Sequence, residues 1–250
     1  MYSEPIPPQL VDSRCRTTVH GYPIVVFHKE TAESDAVFLG KYNANTDKSS
    51  EETFGFTDDY DVESWEFCNN TSDACNFLGP IPDEYDVVDE ATNTNQGWKN
   101  DFERRYPDHD LIDEGDEVPS EAIARFKRMH DWVVSTKDYD FSDKTVLRVD
   151  PVLDKDGNQV YQTDAEGKQI LDKDGNPIPK VINITIIDIY REEFLERFNL
   201  HYTLIYYVWT FFFLMVDQRA KNMFLTYWKN TDRFYPYFYD NDKRNFTMSL

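Results

Sequence analysis

From Tyr202 to Val216 the chain runs for fifteen residues without a charged side chain, interrupted only by Thr203 and Thr210. As a helix this run would reach roughly 22 Å at about 1.5 Å per residue, short of the ~30 Å hydrocarbon core of a bilayer. It is apolar on every side, so the sequence predicts a helix enclosed by the rest of a domain rather than a membrane span. The surroundings are of opposite character: 250 residues carry 47 acidic and 26 basic side chains, a formal net charge of −21. Hydrophobic residues make up 40% and aromatics 16%, which separates the chain from acidic disordered segments and leaves room for one large or two small domains. The excess of acid argues against sequence-specific nucleic-acid binding and against docking on an anionic membrane.

Met1 to Val11 show no basic region followed by an apolar run, so no signal peptide is expected. Cys15, Cys68 and Cys75 lack metal-ligand spacing; Cys68 and Cys75 could close a small disulfide loop, or all three remain reduced. The five histidines are scattered and none is assigned to a metal.

Three regions are expected. Residues 1–57 read as a β-rich lobe, with Ile24–Phe27 and Ala36–Leu39 as strands of a hairpin. Residues 58–117 hold nineteen Asp or Glu against Lys99, Arg104 and Arg105, and read as loops and short helices over a core, either solvated or facing a cationic partner. Residues 118–250 read as a helical lobe. Its first helix starts at Ser120, with Ala122, Phe126, Met129 and Trp132-Val133 on one face. Within this lobe Leu153–Asn158 recurs unchanged as Leu171–Asn176, and Asp-Gly-Asn predicts tight turns in a projecting β-arm over about 150–187. A calcium loop fails, because Gln159 and Pro177 stand where the loop needs glycine. A strand is expected over Val181–Ile187 and a helix over Arg191–Arg197, broken by Asn199-Leu200-His201 before the apolar run.

A motif segment, 217–242, follows that run. Asp217 is followed five residues later by Asn222, then by a strand-like return and by Tyr235-Pro236-Tyr237-Phe238-Tyr239-Asp240-Asn241-Asp242. An Asp to orient the attacking hydroxyl, with an Asn and a second Asp to hold magnesium, is the order phosphoryl transfer requires. These residues resemble the CotH kinase family, the spore-coat-type atypical kinases. Arg16–Ile24, with its Gly-x-Pro, and Leu39-Gly40-Lys41-Tyr42 are similar to that family's N-terminal hairpin.

The resemblance implies an α+β, protein-kinase-like fold with an N-terminal β-rich lobe, a helical C-terminal lobe and an inserted hairpin arm. It makes Asp217 the catalytic base, Asn222 a metal ligand, Asp240 the principal magnesium ligand, and Asp242 either a second ligand or a structural acid. ATP and magnesium would be the cofactors of an active enzyme. Lys41 and Lys48 are the two candidates for a nucleotide-clamping lysine, and no Gly-x-Gly phosphate loop is present among the nine glycines. With its large additions the chain also resembles CotH-like domains within tail and virion proteins of crAss-like tailed phages. That second resemblance implies a structural protein of a phage tail or neck, made in the host cytoplasm, with other virion proteins and copies of itself in a ring as partners. The chain ends at Thr247–Leu250, directly after the motif, which leads to the expectation that the protein continues beyond 250. Two functions follow: a structural or interaction domain on a kinase-like scaffold, or an active CotH-type protein kinase.

Overall fold

The computed structural model describes residues 21–48, 50–56, 62–68, 72–107, 120–215 and 222–238. The fold is α+β, and the chain divides into two compact units: residues 1–134 with 196–250, and residues 135–195.

In the first unit, β1 (Gly21–His28) and β2 (Val37–Asn45) form the expected antiparallel hairpin, with a bulge between Val26 and Phe27. A four-stranded antiparallel sheet follows, built from β3 (Val62–Phe67), β6 (Phe102–Tyr106), β9 (Met223–Trp228) and β10 (Arg233–Phe238) in the order β10-β9-β3-β6. A two-residue pair, β4 (Val88–Asp89) and β5 (Thr94–Asn95), lies in the connection between β3 and β6. The acidic region is therefore not only loops and short helices: it supplies a central strand and an edge strand of the sheet. Every residue of β3 is buried, which requires cover on both sheet faces.

One face of β3 carries Glu63, Trp65 and Phe67 toward α2 (Ser120–Thr136), after the one-turn helix α1 (Glu51–Phe54). Trp65 lies 4.8 Å from the Phe126 ring and 5.7 Å from Trp98, while Phe67 packs at 4.8 Å on Phe102. Helix α2 forms as its spacing predicts, burying Ala122, Phe126, Met129 and Trp132. It also buries His130, whose Nε2 donates to the Ala74 carbonyl at 2.9 Å and whose ring stacks on Phe77. Burial holds this imidazole below its usual pKa, which suits a neutral core histidine. On the other face, Phe54, Phe56, Tyr106, Phe224, Trp228, Tyr235 and Tyr237 form an aromatic core. Ser64 and Thr226 share a buried hydroxyl hydrogen bond across the central strand pair at 3.1 Å.

Asn199 caps α4 (Leu200–Phe212) by accepting from the Tyr202 backbone N–H at 3.0 Å. The helix rests on β10 through Tyr202 on Tyr235 and Tyr206 on Phe238. The enclosure expected of the apolar run is not found. Tyr206 and Thr210 are buried, but Leu204, Val208, Trp209 and Phe212 are exposed. Only one side of the helix meets the sheet, and Leu204, Val208 and Phe212 turn large apolar side chains to solvent. No helix among the described residues is long and apolar enough to cross a membrane.

In the second unit, β7 (Arg148–Pro151) pairs antiparallel with β8 (Val181–Ile184) and opens into the arm. The arm contains three equivalent loops where the exact sequence repeat shows two. Asp154–Asn158, Asp164–Lys168 and Asp172–Asn176 each place a glycine at φ near +83°. In each, the leading Asp Oδ1 accepts backbone N–H groups two and four residues on. These bonds hold the Asp154 and Asp172 carboxyls below their ordinary values. The strand expected to reach Ile187 stops at Ile184, because Thr185 and Asp188 start α3 (Ile186–Arg197). Asp188 Oδ2 accepts from the Thr185 N–H at 3.0 Å and from its hydroxyl at 2.8 Å, a capping arrangement that ends the strand.

Candidate functional site

Of the residues expected to carry chemistry, Asp217, Asp240 and Asp242 lie outside the described residues. Asn222 is described: it is buried, immediately precedes β9 and holds a left-handed backbone at φ 56°. The strand-like return is the β9–β10 hairpin, whose register pairs Met223 with Phe238, two residues before Asp240. Left-handed backbone is a sufficient reason for an Asn at this position. Asn222→Ala is therefore expected to cost about 1 kcal/mol in chemical denaturation, and Asn222→Gly distinctly less. Equal losses would show that the side chain, not the backbone, is what the position requires.

The sheet end that starts at Asn222 also collects a group of polar side chains. Glu66 pairs with Phe224 on one side and Glu103 on the other. Its buried carboxylate receives Lys48 Nζ at 2.9 and 3.1 Å, and the Arg105 Nε. Arg105 also donates to Glu103 Oε1 at 2.8 Å, and the Cys68 thiol lies 3.6 Å from Glu103 Oε2. Of the two lysines left open by the sequence, Lys48 is thus engaged by a buried glutamate, whereas Lys41 sits in the exposed β2 strand.

Glu66, Cys68 and Glu103 bring their ligand atoms within 4.8 Å of one another. As a magnesium site they fit poorly. Magnesium takes oxygen ligands and retains water, but here one donor is a thiol and Glu66 is already neutralised by two cations. Burial pushes the Cys68 thiol up to about 12, so it stays protonated and is a weak nucleophile. The group therefore acts as an ion-pair lock between β3, β6 and the segment before α1. Cys68 and Cys75 are both free thiols, and Cys75 donates to the Asp101 carbonyl at 2.9 Å. Cys15 lies outside the described residues.

A second charged group occupies the opposite face. Arg125 of α2 donates to Glu63 at 2.5 Å and to Glu121 at 2.8 Å, and its guanidinium lies 4.2 Å from the centre of the Tyr227 ring. Tyr227 donates in turn to Asp232 at 2.7 Å. Burial raises the Glu63 carboxyl, and Arg125 opposes that rise.

Sequence reading missed Glu63 and Glu66, which it left in an acidic region meant for solvent or a cationic partner. The available signal was Arg104-Arg105, an adjacent basic pair inside a stretch otherwise almost wholly acidic. Buried cations require buried carboxylates nearby. The chain matches no protein-family model, no curated protein and no solved structure.

Proposed function

We propose that this chain is a structural interaction domain, of the kind found in tail or neck proteins of tailed phages, built on a CotH kinase-like scaffold. The observation that carries the reading is the exposed apolar surface of α4, which a chain working alone would have to keep in water. The saturated state of the polar group at the sheet end agrees with it, since Glu66 is held by Lys48 and Arg105 and Cys68 is a protonated thiol. The three-loop arm of the second unit adds a further element suited to contacts within an assembly.

One observation favours the second reading, an active protein kinase using ATP and magnesium. A lysine–glutamate ion pair must be in place in protein kinases, and Lys48–Glu66 lies at the sheet end where Asn222 precedes β9. Radiolabel transfer decides between them. With magnesium and about 1 mM ATP, the expected result is neither nucleotide binding nor transfer to protein. Transfer that disappears in both Asp217→Ala and Asp240→Ala would overturn the structural reading in favour of the kinase.

A further inference from the structure

In the first unit, strands β1 and β2 and helix α4 turn apolar side chains to solvent and contain no acidic residue; Glu30, Glu33 and Asp35 are confined to the loop at the end of the hairpin. On α4, Leu204, Ile205, Val208, Trp209 and Phe212 share one side, a stripe about 140° wide at about 100° per residue. Phe212 is 75% exposed and Val208 58%, while Tyr206 and Thr210 are buried on the side facing away. The hairpin exposes Tyr22, Val25, Phe27, Val37, Phe38 and Leu39. The Phe27 and Phe38 rings touch one another at 5.5 Å across its bulge.

Each element lacks what the other is. A two-stranded hairpin is marginal in water until a third strand or a helix packs on it. A helix with an apolar outer face needs a covering layer, and a sheet is the usual one. Within one molecule neither covers the other, since both are exposed at once. We propose that the β1–β2 hairpin of one copy packs on the outer stripe of α4 of the next copy. The inference rests on the reading of the chain as an assembly domain and names its surface and its partner.

Area and charge support a second copy as the occupant. The α4 stripe exposes on the order of 500 Å² of apolar surface and the hairpin face of Val25, Phe27 and Phe38 about 300 Å², against about 800 Å² per partner in a standard interface, little more than half of it apolar. Copies that each carry −21 repel unless they meet where acid is absent. Lys41 is the only Asp, Glu, Lys or Arg in β1, β2 and α4 together. Because hairpin and stripe are different surfaces, the contact is head to tail. Every bound copy still offers one unused half, so pairing propagates to a ring where the rotation closes and to a filament where it does not.

Light scattering on the 250-residue chain, from about 1 to 100 µM, is expected to give a mass above the 29.6 kDa monomer that rises with concentration. Val25→Glu with Leu39→Glu marks the hairpin, and Val208→Glu with Phe212→Glu marks the stripe. All four positions are exposed, so circular dichroism and Tm should match the parent. Each variant alone is expected to be monomeric. A 1:1 mixture should form a dimer and nothing larger, because one intact hairpin then meets one intact stripe. Should either variant misfold, Leu39→Thr and Val208→Gln replace them, with association weakened about tenfold or more.

A monomeric parent at every concentration would overturn the proposal, as would a mixture that stays monomeric or a hairpin variant that still associates. So would a parent that stays monomeric yet floats with neutral phosphatidylcholine vesicles, which would make the stripe a lipid-facing surface. Phosphoryl transfer from an assembling parent would instead end the purely structural reading and leave this contact standing.

Discussion

Trp65→Ala is expected to lower stability by about 3–5 kcal/mol and Tm by roughly 10 °C, the range for removing a large aromatic from a packed core. Trp65 has no exposed surface and sits between the rings of Tyr85, Trp98 and Phe126, so truncation leaves a cavity that those three rings would have to close. Trp65→Phe separates volume from chemistry. Among the described residues the indole N–H has no hydrogen-bond partner, so phenylalanine loses ring area but also removes an unsatisfied buried donor. A loss under about 1.5 kcal/mol is expected for that variant. Urea unfolding midpoints measure both, and a similarly small loss for alanine would mean that this face of β3 is not core.

Arg125→Met should be nearly as damaging, at about 3–5 kcal/mol near neutral pH, because it strands Glu63 as a buried charge without its counter-ion. The methionine keeps much of the stem packing against Tyr227, so the loss reads mainly as electrostatic. Its pH dependence has a definite sign. Burial already raises the Glu63 carboxyl, and removal of Arg125 takes away the largest opposing influence. The folded state then binds this proton more tightly than the unfolded chain. Stability lost by the variant is therefore largest above the raised folded value and shrinks as pH falls toward the ordinary carboxyl range. Glu63→Gln combined with Arg125→Met should recover much of the loss at neutral pH. A deficit that is flat with pH and unrelieved by glutamine would show that Arg125 contributes through packing alone.

The legible parts of this chain were those whose signals are local. The β-branched and aromatic runs at Ile24–Phe27 and Ala36–Leu39 specify a hairpin without reference to the rest of the chain, and α2 announces itself by periodicity. Strand β3 does not. Val62-Glu63-Ser64-Trp65-Glu66-Phe67 alternates in no simple way, because both its faces are buried and its two glutamates are neutralised by Arg125, Lys48 and Arg105 from distant segments. The Thr185–Asp188 cap was readable as a Thr-x-x-Asp pattern, yet the β-branched run before it and Ile186-Ile187 after it read more strongly as strand. The middle arm loop was hidden because Asp164-Ala165-Glu166-Gly167-Lys168 preserves only the Asp and the Gly that the turn requires. For α4 the composition was read correctly and the conclusion drawn from it was too narrow. An apolar run needs cover, but nothing in its own residues says whether that cover belongs to the same molecule. As for the polar groups, the Lys48–Glu66–Arg105 lock could not be found from spacing, since its members are brought together only by the sheet.

The central strand pair of that sheet joins residues far apart in the chain: Ser64 meets Thr226 across 162 positions. During synthesis β3 is complete long before its neighbour β9 exists, so a segment that the native sheet buries on both faces must wait while most of the remaining chain is made. The arm, by contrast, closes through loops of five residues and can order as soon as it emerges. Folding of this protein should therefore begin at its middle and finish at its sheet, with a slow phase governed by topology. Until that step, the half-formed sheet offers the unpaired edge that chaperones and neighbouring chains are most apt to find.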